Sequence, residues 1–133
     1  MTDVVTDTHG LIWYLEDSPR LSAAAREAFD RCDRGEMRVF VPTICLVEIV
    51  YLQEKGRISL DMMGKLNAEL QTGVSGLTPC DLTPEIASAV ADVPREVVAD
   101  MPDRIIAATA LCLGLPLISR DHRIRLSQVD TVW

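Results

Sequence analysis

Four carboxylates, Asp7, Glu48, Asp103 and Asp121, each border or interrupt an apolar run of strand or helix length. Acids that a fold gathers from such positions hold a hard divalent cation, because Mg²⁺ and Mn²⁺ take oxygen ligands whereas zinc favours Cys and His. Taken singly, each acid also has a structural explanation as a helix cap, a surface charge or a paired core residue. Glu48 fits those explanations least. It interrupts the stretch Ile44-Cys45-Leu46-Val47-Glu48-Ile49-Val50-Tyr51-Leu52, with no Lys or Arg within one helical turn, so any compensating charge must come from elsewhere. Two carboxylates about 4 Å apart repel by roughly 4 kcal/mol at an effective dielectric near 20, so such a cluster is unstable alone and stable around a divalent cation.

The elements that must position these acids can be read from apolar periodicity and punctuation. Asp3-Val4-Val5-Thr6 reads as a strand and Thr8 through Leu15 as a helix, which puts Asp7 at a strand-to-helix junction, the ligand edge of an open α/β sheet. Glu48 is expected on an otherwise buried helix. Asp103 opens the segment from Arg104 to Leu113, bounded by Pro102 before it and by Gly114 and Pro116 after it. An acid there also suits the helix dipole, and Asp100 nearby is read as a helix-start residue. Asp121 follows the short strand Leu115-Pro116-Leu117-Ile118-Ser119, at its carboxyl end.

The rest reads as scaffold. Ser22 starts a helix that runs to Cys32, with Gly35 just past its end, and Arg38 through Pro42 form a second strand. Ser59 through Gln71 is expected to be an amphipathic helix whose stripe is Leu60, Met63, Leu66 and Leu70. Leu77 through Leu82 is a weak strand demoted by Pro79, and a short helix starts at Thr83-Pro84. The expected architecture is α/β: one domain over residues 1–133, with a mostly parallel sheet of four to five short strands, helices on both faces and the acids at its carboxyl edge. The strand order stays open.

Composition agrees. A chain of 133 residues with 48% hydrophobic content can bury a useful core. No apolar run approaches the roughly 20 residues that span a bilayer, and Met1-Thr2-Asp3 lacks the basic start of a secretory signal, so a cytoplasmic protein is expected. Cys45 and Cys112 lie in apolar helical segments and read as small hydrophobes, without Cys-x-x-Cys spacing. The formal charge of −7 opposes nucleic-acid binding in general. Locally it is offset by Arg104 beside Asp103 and by Arg120, Arg123 and Arg125 around Asp121, a cationic rim suited to a phosphate backbone.

The run Val5-Thr6-Asp7-Thr8-His9, Glu48 in its apolar helix, Pro102-Asp103-Arg104-Ile105-Ile106-Ala107-Ala108-Thr109-Ala110 and Leu117-Ile118-Ser119-Arg120-Asp121 together resemble the PIN-domain ribonucleases. Within them, the chain is most similar to the VapC toxins of toxin–antitoxin pairs. The resemblance spans nearly the whole chain and lies in the order of the motifs more than in any one of them. It implies that Asp7, Glu48, Asp103 and Asp121 form the acidic site, with Ser119 and Thr8 as supporting hydroxyls. Thr43 and Cys45 depart from positions often occupied by serine or threonine, which touches hydrogen bonding around Glu48 and not the acids.

The same resemblance implies one or two Mg²⁺ or Mn²⁺ ions that activate a water for in-line attack on RNA, leaving a 5′-phosphate and a 3′-hydroxyl. It further implies a homodimer held inactive by a small antitoxin; the stripes Ile12-Trp13-Tyr14 and Val50-Tyr51-Leu52 are candidate contacts for it, with a core role expected for most of these residues. Arg104, Arg120 and Arg123 are the candidate RNA phosphate contacts. His9 and His122 are read as packing or surface residues, since a metal makes a histidine base unnecessary. Two other functions remain open: a different Mg²⁺-dependent phosphoryl hydrolase, whose usual Asp-x-Asp is absent at Asp7-Thr8-His9, and a non-catalytic PIN-like binding module.

Overall fold

The computed structural model describes residues 3–72, 76–125 and 127–133, and only the backbone of His122 and Arg125, so the readings placed on those two side chains and on the Met1-Thr2 start lie outside the described residues. Five strands, β1 (Val4–Thr6), β2 (Val39–Pro42), β3 (Leu77–Cys80), β4 (Leu117–Ile118) and β5 (Thr131–Val132), form one sheet in the order β3-β2-β1-β4-β5. Every pairing is parallel. β1 is the central strand and buries all three of its residues, as a parallel strand covered on both faces must. Pro79 pairs with Val41 on the edge strand β3, where a missing N–H is tolerated.

The chain moves from β1 outward through β2 to β3, then returns across the sheet to β4 and β5. The reversal falls between β1 and β4, paired as Val5 with Leu117 and Thr6 with Ile118. The crevice beyond the carboxyl ends of two such strands is where open α/β sheets take ligands. Asp7 and Ser119 are the residues that immediately follow those strands.

The helices are α1 (Thr8–Leu15), α2 (Ala23–Asp33), α3 (Thr43–Glu54), α4 (Asp61–Thr72), α5 (Pro84–Ala89) with the 3-10 turn Val90–Asp92, α6 (Met101–Leu113) and the short α7 (His122–Arg125). Their ends follow the expected chemistry. Ser22 caps α2 by accepting from the Ala25 N–H at 3.1 Å, and Gly114 ends α6 in the left-handed conformation at φ 67°. α6 buries Ile106 through Ala110, and its small alanines let it lie close to the elements it packs against. Phe29, Leu11, Ile49, Leu66, Ile106, Leu117 and Ile118 fill the centre of the core.

Three expectations from the sequence are corrected. α4 begins at Asp61, so Leu60 stands in the preceding turn, 80% exposed, and the helix buries Met62 and Leu66. That turn is fixed by the Gln53 side-chain amide, which donates to the carbonyls of Ser59 and Leu60. Cys112 is exposed on α6, while Cys45 is enclosed. The helix carrying Glu48 is not buried: α3 buries only Cys45 and Ile49 and leaves Val47, Val50 and Tyr51 outward, Tyr51 at 60% exposure. Among the described residues no helix is long and apolar enough to cross a membrane.

Candidate active site

Asp7 leaves β1 and caps α1, its Oδ1 accepting from the Gly10 N–H at 2.8 Å. A Cβ at Gly10 would fall 2.9 Å from that oxygen and 3.1 Å from Ile118, so only glycine lets the first turn of α1 close over the carboxylate. Ser119, fully buried at the end of β4, ties two acids together. Its hydroxyl hydrogen-bonds Asp7 and accepts from the Asp121 N–H at 3.1 Å. Burial pushes the Asp7 carboxyl above its ordinary pKa, opposed by Gly10, Ser119 and His9 and reinforced by Glu48.

Asp103 stands in the first turn of α6. Its carboxyl is pushed up from 3.8 to about 7, first by burial and then by the charges of Asp100, Glu48, Asp121 and Asp7. Asp100 occupies the N-cap position without a side-chain cap bond, so it joins the electrostatics of the site as well as the helix start. Asp121 makes a forked ion pair with Arg123, its Oδ2 accepting from Nη2 at 3.1 Å and its Oδ1 from Nε at 3.3 Å.

A cleft of about 600 Å³ opens over these groups, lined by Asp7, Asp103 and Asp121 and by the cations Arg20, Arg120 and Arg123. His9, Gly10, Trp13 and Trp133 complete the wall. Glu48 is outside this lining. It is half-buried and accepts from the Thr8 hydroxyl at 2.5 Å, so the neighbour that satisfies it is a neutral donor, and it reaches the other acids through its field. The Cys45 thiol sits 3.9 Å from the Thr6 carbonyl and within reach of the Thr8 hydroxyl, filling the space beside that bond.

Arg104 is also outside the lining. Its Nη2 donates to the carbonyls of Val90 and Val93, both at 2.9 Å, clamping the 3-10 turn to the start of α6. The guanidinium expected to meet phosphate therefore holds backbone instead. Arg20, Trp13, His9 and Trp133 are cleft residues that the acid pattern did not point to, since they come from loops, a helix face and the segment after β5. Arg20 rides on a pinned loop: Arg26 bridges to Asp17 at 2.8 Å and to the Ser18 carbonyl, and the Ser18 hydroxyl accepts from the Arg20 N–H.

Among the described residues no three Asp, Glu, His or Cys side chains stand at distances that would hold a metal ion together. The reason is visible in their bonds: Asp7 is turned to Gly10, Glu48 to Thr8 and Asp121 to Arg123. The chemistry of the donors nevertheless fits a hard cation. Asp7, Asp103 and Asp121 offer only oxygen and share one cleft, where burial and then the charges of the surrounding acids push the Asp103 carboxyl up to about 7. Rotation of these side chains out of their local bonds is the adjustment that ligation would require.

The sheet order, the acids at its switch point and the polar hydroxyl between them define a class, and comparison agrees with it. Residues 4–131 match the family model for the PIN domain, and the chain belongs to the PIN-domain family. It is 31% identical over 136 residues, across the full length of both chains, to Ribonuclease VapC22 of Mycobacterium tuberculosis. Its fold is similar to the DNA-bound VapBC of Salmonella typhimurium, with TM-score 0.67 and 21% identity, covering 98% of this chain and 97% of that one. It is similar as well to VapBC2 of Rickettsia felis bound to a promoter DNA fragment, with TM-score 0.66 and 13% identity, covering 99% and 100%.

Proposed function

We propose that this chain is a divalent-metal-dependent endoribonuclease and the toxin of a VapBC-type pair. The observation that carries the reading is the meeting of Asp7, Asp103 and Asp121 on one cleft at the switch point, with the Asp103 carboxyl raised to about 7 by burial and then by its acidic neighbours. Full-length similarity to a protein named as a ribonuclease supports it.

Asp7, Asp103 and Asp121 would hold the ion, with Glu48 contributing charge from behind Thr8. A bound Mg²⁺ or Mn²⁺ supplies a more acidic water and offsets the charge that builds on the phosphoryl oxygens. The protein's own groups do the rest. Ser119 fixes Asp7 relative to Asp121, Gly10 permits the close approach of α1, and Arg20 and Arg120 attract the phosphate backbone to a cleft that the chain's net charge of −7 would otherwise repel. Arg123 can serve the same end once a cation replaces it at Asp121.

Partners follow the same reading. An antitoxin segment with basic residues would neutralise the acidic side of the cleft, and a homodimer would cover Val47, Val50 and Tyr51 on α3. Purified chain incubated with total RNA and Mn²⁺ should yield discrete fragments that vanish with chelator and with Asp7→Asn. RNA left intact by a folded, Mn²⁺-loaded chain would count against the nuclease and in favour of a binding module.

A further inference from the structure

Both tryptophans of the chain, Trp13 and Trp133, line the cleft that holds the acids. Their rings meet edge to face with centroids 5.7 Å apart, and His9 tilts against Trp13 at 5.5 Å. The Arg120 guanidinium lies 4.7 Å over the Trp13 ring. Trp13 is only 7% exposed, whereas Arg120 is exposed and Trp133 half-buried, so the groups offered to a ligand are the Arg120 guanidinium and the Trp133 indole, which line the same cleft.

Among the described residues no hydrogen bond or ion pair engages Arg120, although three carboxylates share its cleft and Arg123 next to it is paired with one of them. A guanidinium over an indole is held by cation–π attraction, and its side away from the ring stays available to a ligand. Unpaired nucleobases stack on such planes and on aromatic rings, while a paired base inside a helix cannot reach them. Arg120 lines the same cleft as Asp7, Asp103 and Asp121, so whatever stacks on it lies beside a phosphate placed at the acids.

We propose that Arg120, laid on Trp13 and flanked by Trp133, is a stacking subsite for one unpaired nucleobase adjacent to the phosphate held at the acids. The inference rests on the ribonuclease reading for its ligand and adds a requirement for single-stranded substrate at this position. Charge alone would make Arg120 replaceable by lysine; stacking does not.

Because both tryptophans lie in this cleft, intrinsic fluorescence reports on the subsite directly. The full chain in EDTA is titrated with a single-stranded tetraribonucleotide, with the same tetramer made abasic, and with an RNA duplex. The base-bearing single strand should quench the emission, and the abasic tetramer and the duplex should bind about tenfold or more weaker. Arg120→Lys, which keeps the charge, should lose about as much affinity as Arg120→Ala, and Trp133→Leu should weaken binding while Trp133→Phe restores it. Equal binding of base-bearing and abasic strands, or full function of Arg120→Lys, overturns the subsite. If Trp133→Leu fails to fold by circular dichroism, the lysine and abasic arms decide alone. Mn²⁺-dependent cleavage is read in parallel: base-independent binding with cleavage intact overturns the subsite and leaves the nuclease, and base-dependent quenching without cleavage does the reverse.

Discussion

α3 and α6 both read in sequence as apolar helices interrupted by an acid, Glu48 in one and Asp103 in the other, yet the fold uses them differently. α6 buries its middle and presents Asp103 from the first turn into the cleft, where burial and neighbouring acids push its carboxyl to about 7. α3 buries only two side chains, exposes Val47, Val50 and Tyr51, and keeps Glu48 behind the Thr8 hydroxyl, outside the cleft. An apolar run thus marks either a helix already packed or one with a face still available to a partner. An acid within it marks either a cleft donor or a charge acting from the next layer.

Substitutions at the two acids should separate those roles most sharply. Asp103→Asn is expected to lower RNA cleavage by about a hundredfold or more, and Glu48→Gln, which leaves the Thr8 contact possible, by about tenfold, the size typical of residues that act through a ligand. Equal losses in steady-state kinetics would erase the distinction. The apolar positions should differ almost as much. Ile106→Ala, fully buried on α6, should cost about 2–5 kcal/mol in denaturant unfolding, whereas Tyr51→Ser on α3 should change the fold's stability by less than about 0.5 kcal/mol and instead weaken self-association in sedimentation.

The pH dependence of stability gives a smaller effect of known sign. The Asp103 carboxyl is raised in the folded state from 3.8 to about 7, so its protonated form favours folding. That contribution is complete below about pH 4 and lost as pH rises through about 7. Without metal, the wild type should lose on the order of 1–2 kcal/mol relative to Asp103→Asn between pH 5 and pH 8, once solvent screening is allowed for. Measuring the difference between the two proteins removes Asp3, which is shifted the other way by its bonds to Arg38. A constant difference across that range would place Asp103 outside any acidic cluster.

The sequence made the site legible where local chemistry decides position. Asp7 is legible because a strand before it and a helix after it leave it at their junction, and Asp103 enters α6 because Pro102 and Gly114 bound the helix. Leu60, Cys112 and α3 were misread because apolar type does not say which residue starts a helix or which face finds a neighbour. Arg104 looked like a phosphate ligand, but the carbonyls of Val90 and Val93 that engage it come from a turn that periodicity does not reveal. Arg20, Trp13 and Trp133 meet only through tertiary folding, and no spacing in the chain announces them.

Mn²⁺ titration by calorimetry, in the absence of RNA, tests the central claim most directly when wild type, Asp103→Asn and Glu48→Gln are compared under one set of conditions. The account predicts binding by the wild type, loss of that binding in Asp103→Asn and a weakened but measurable signal in Glu48→Gln. Binding of equal strength by wild type and a folded Asp103→Asn would contradict it, because the ion would then be held elsewhere than at the cleft acids.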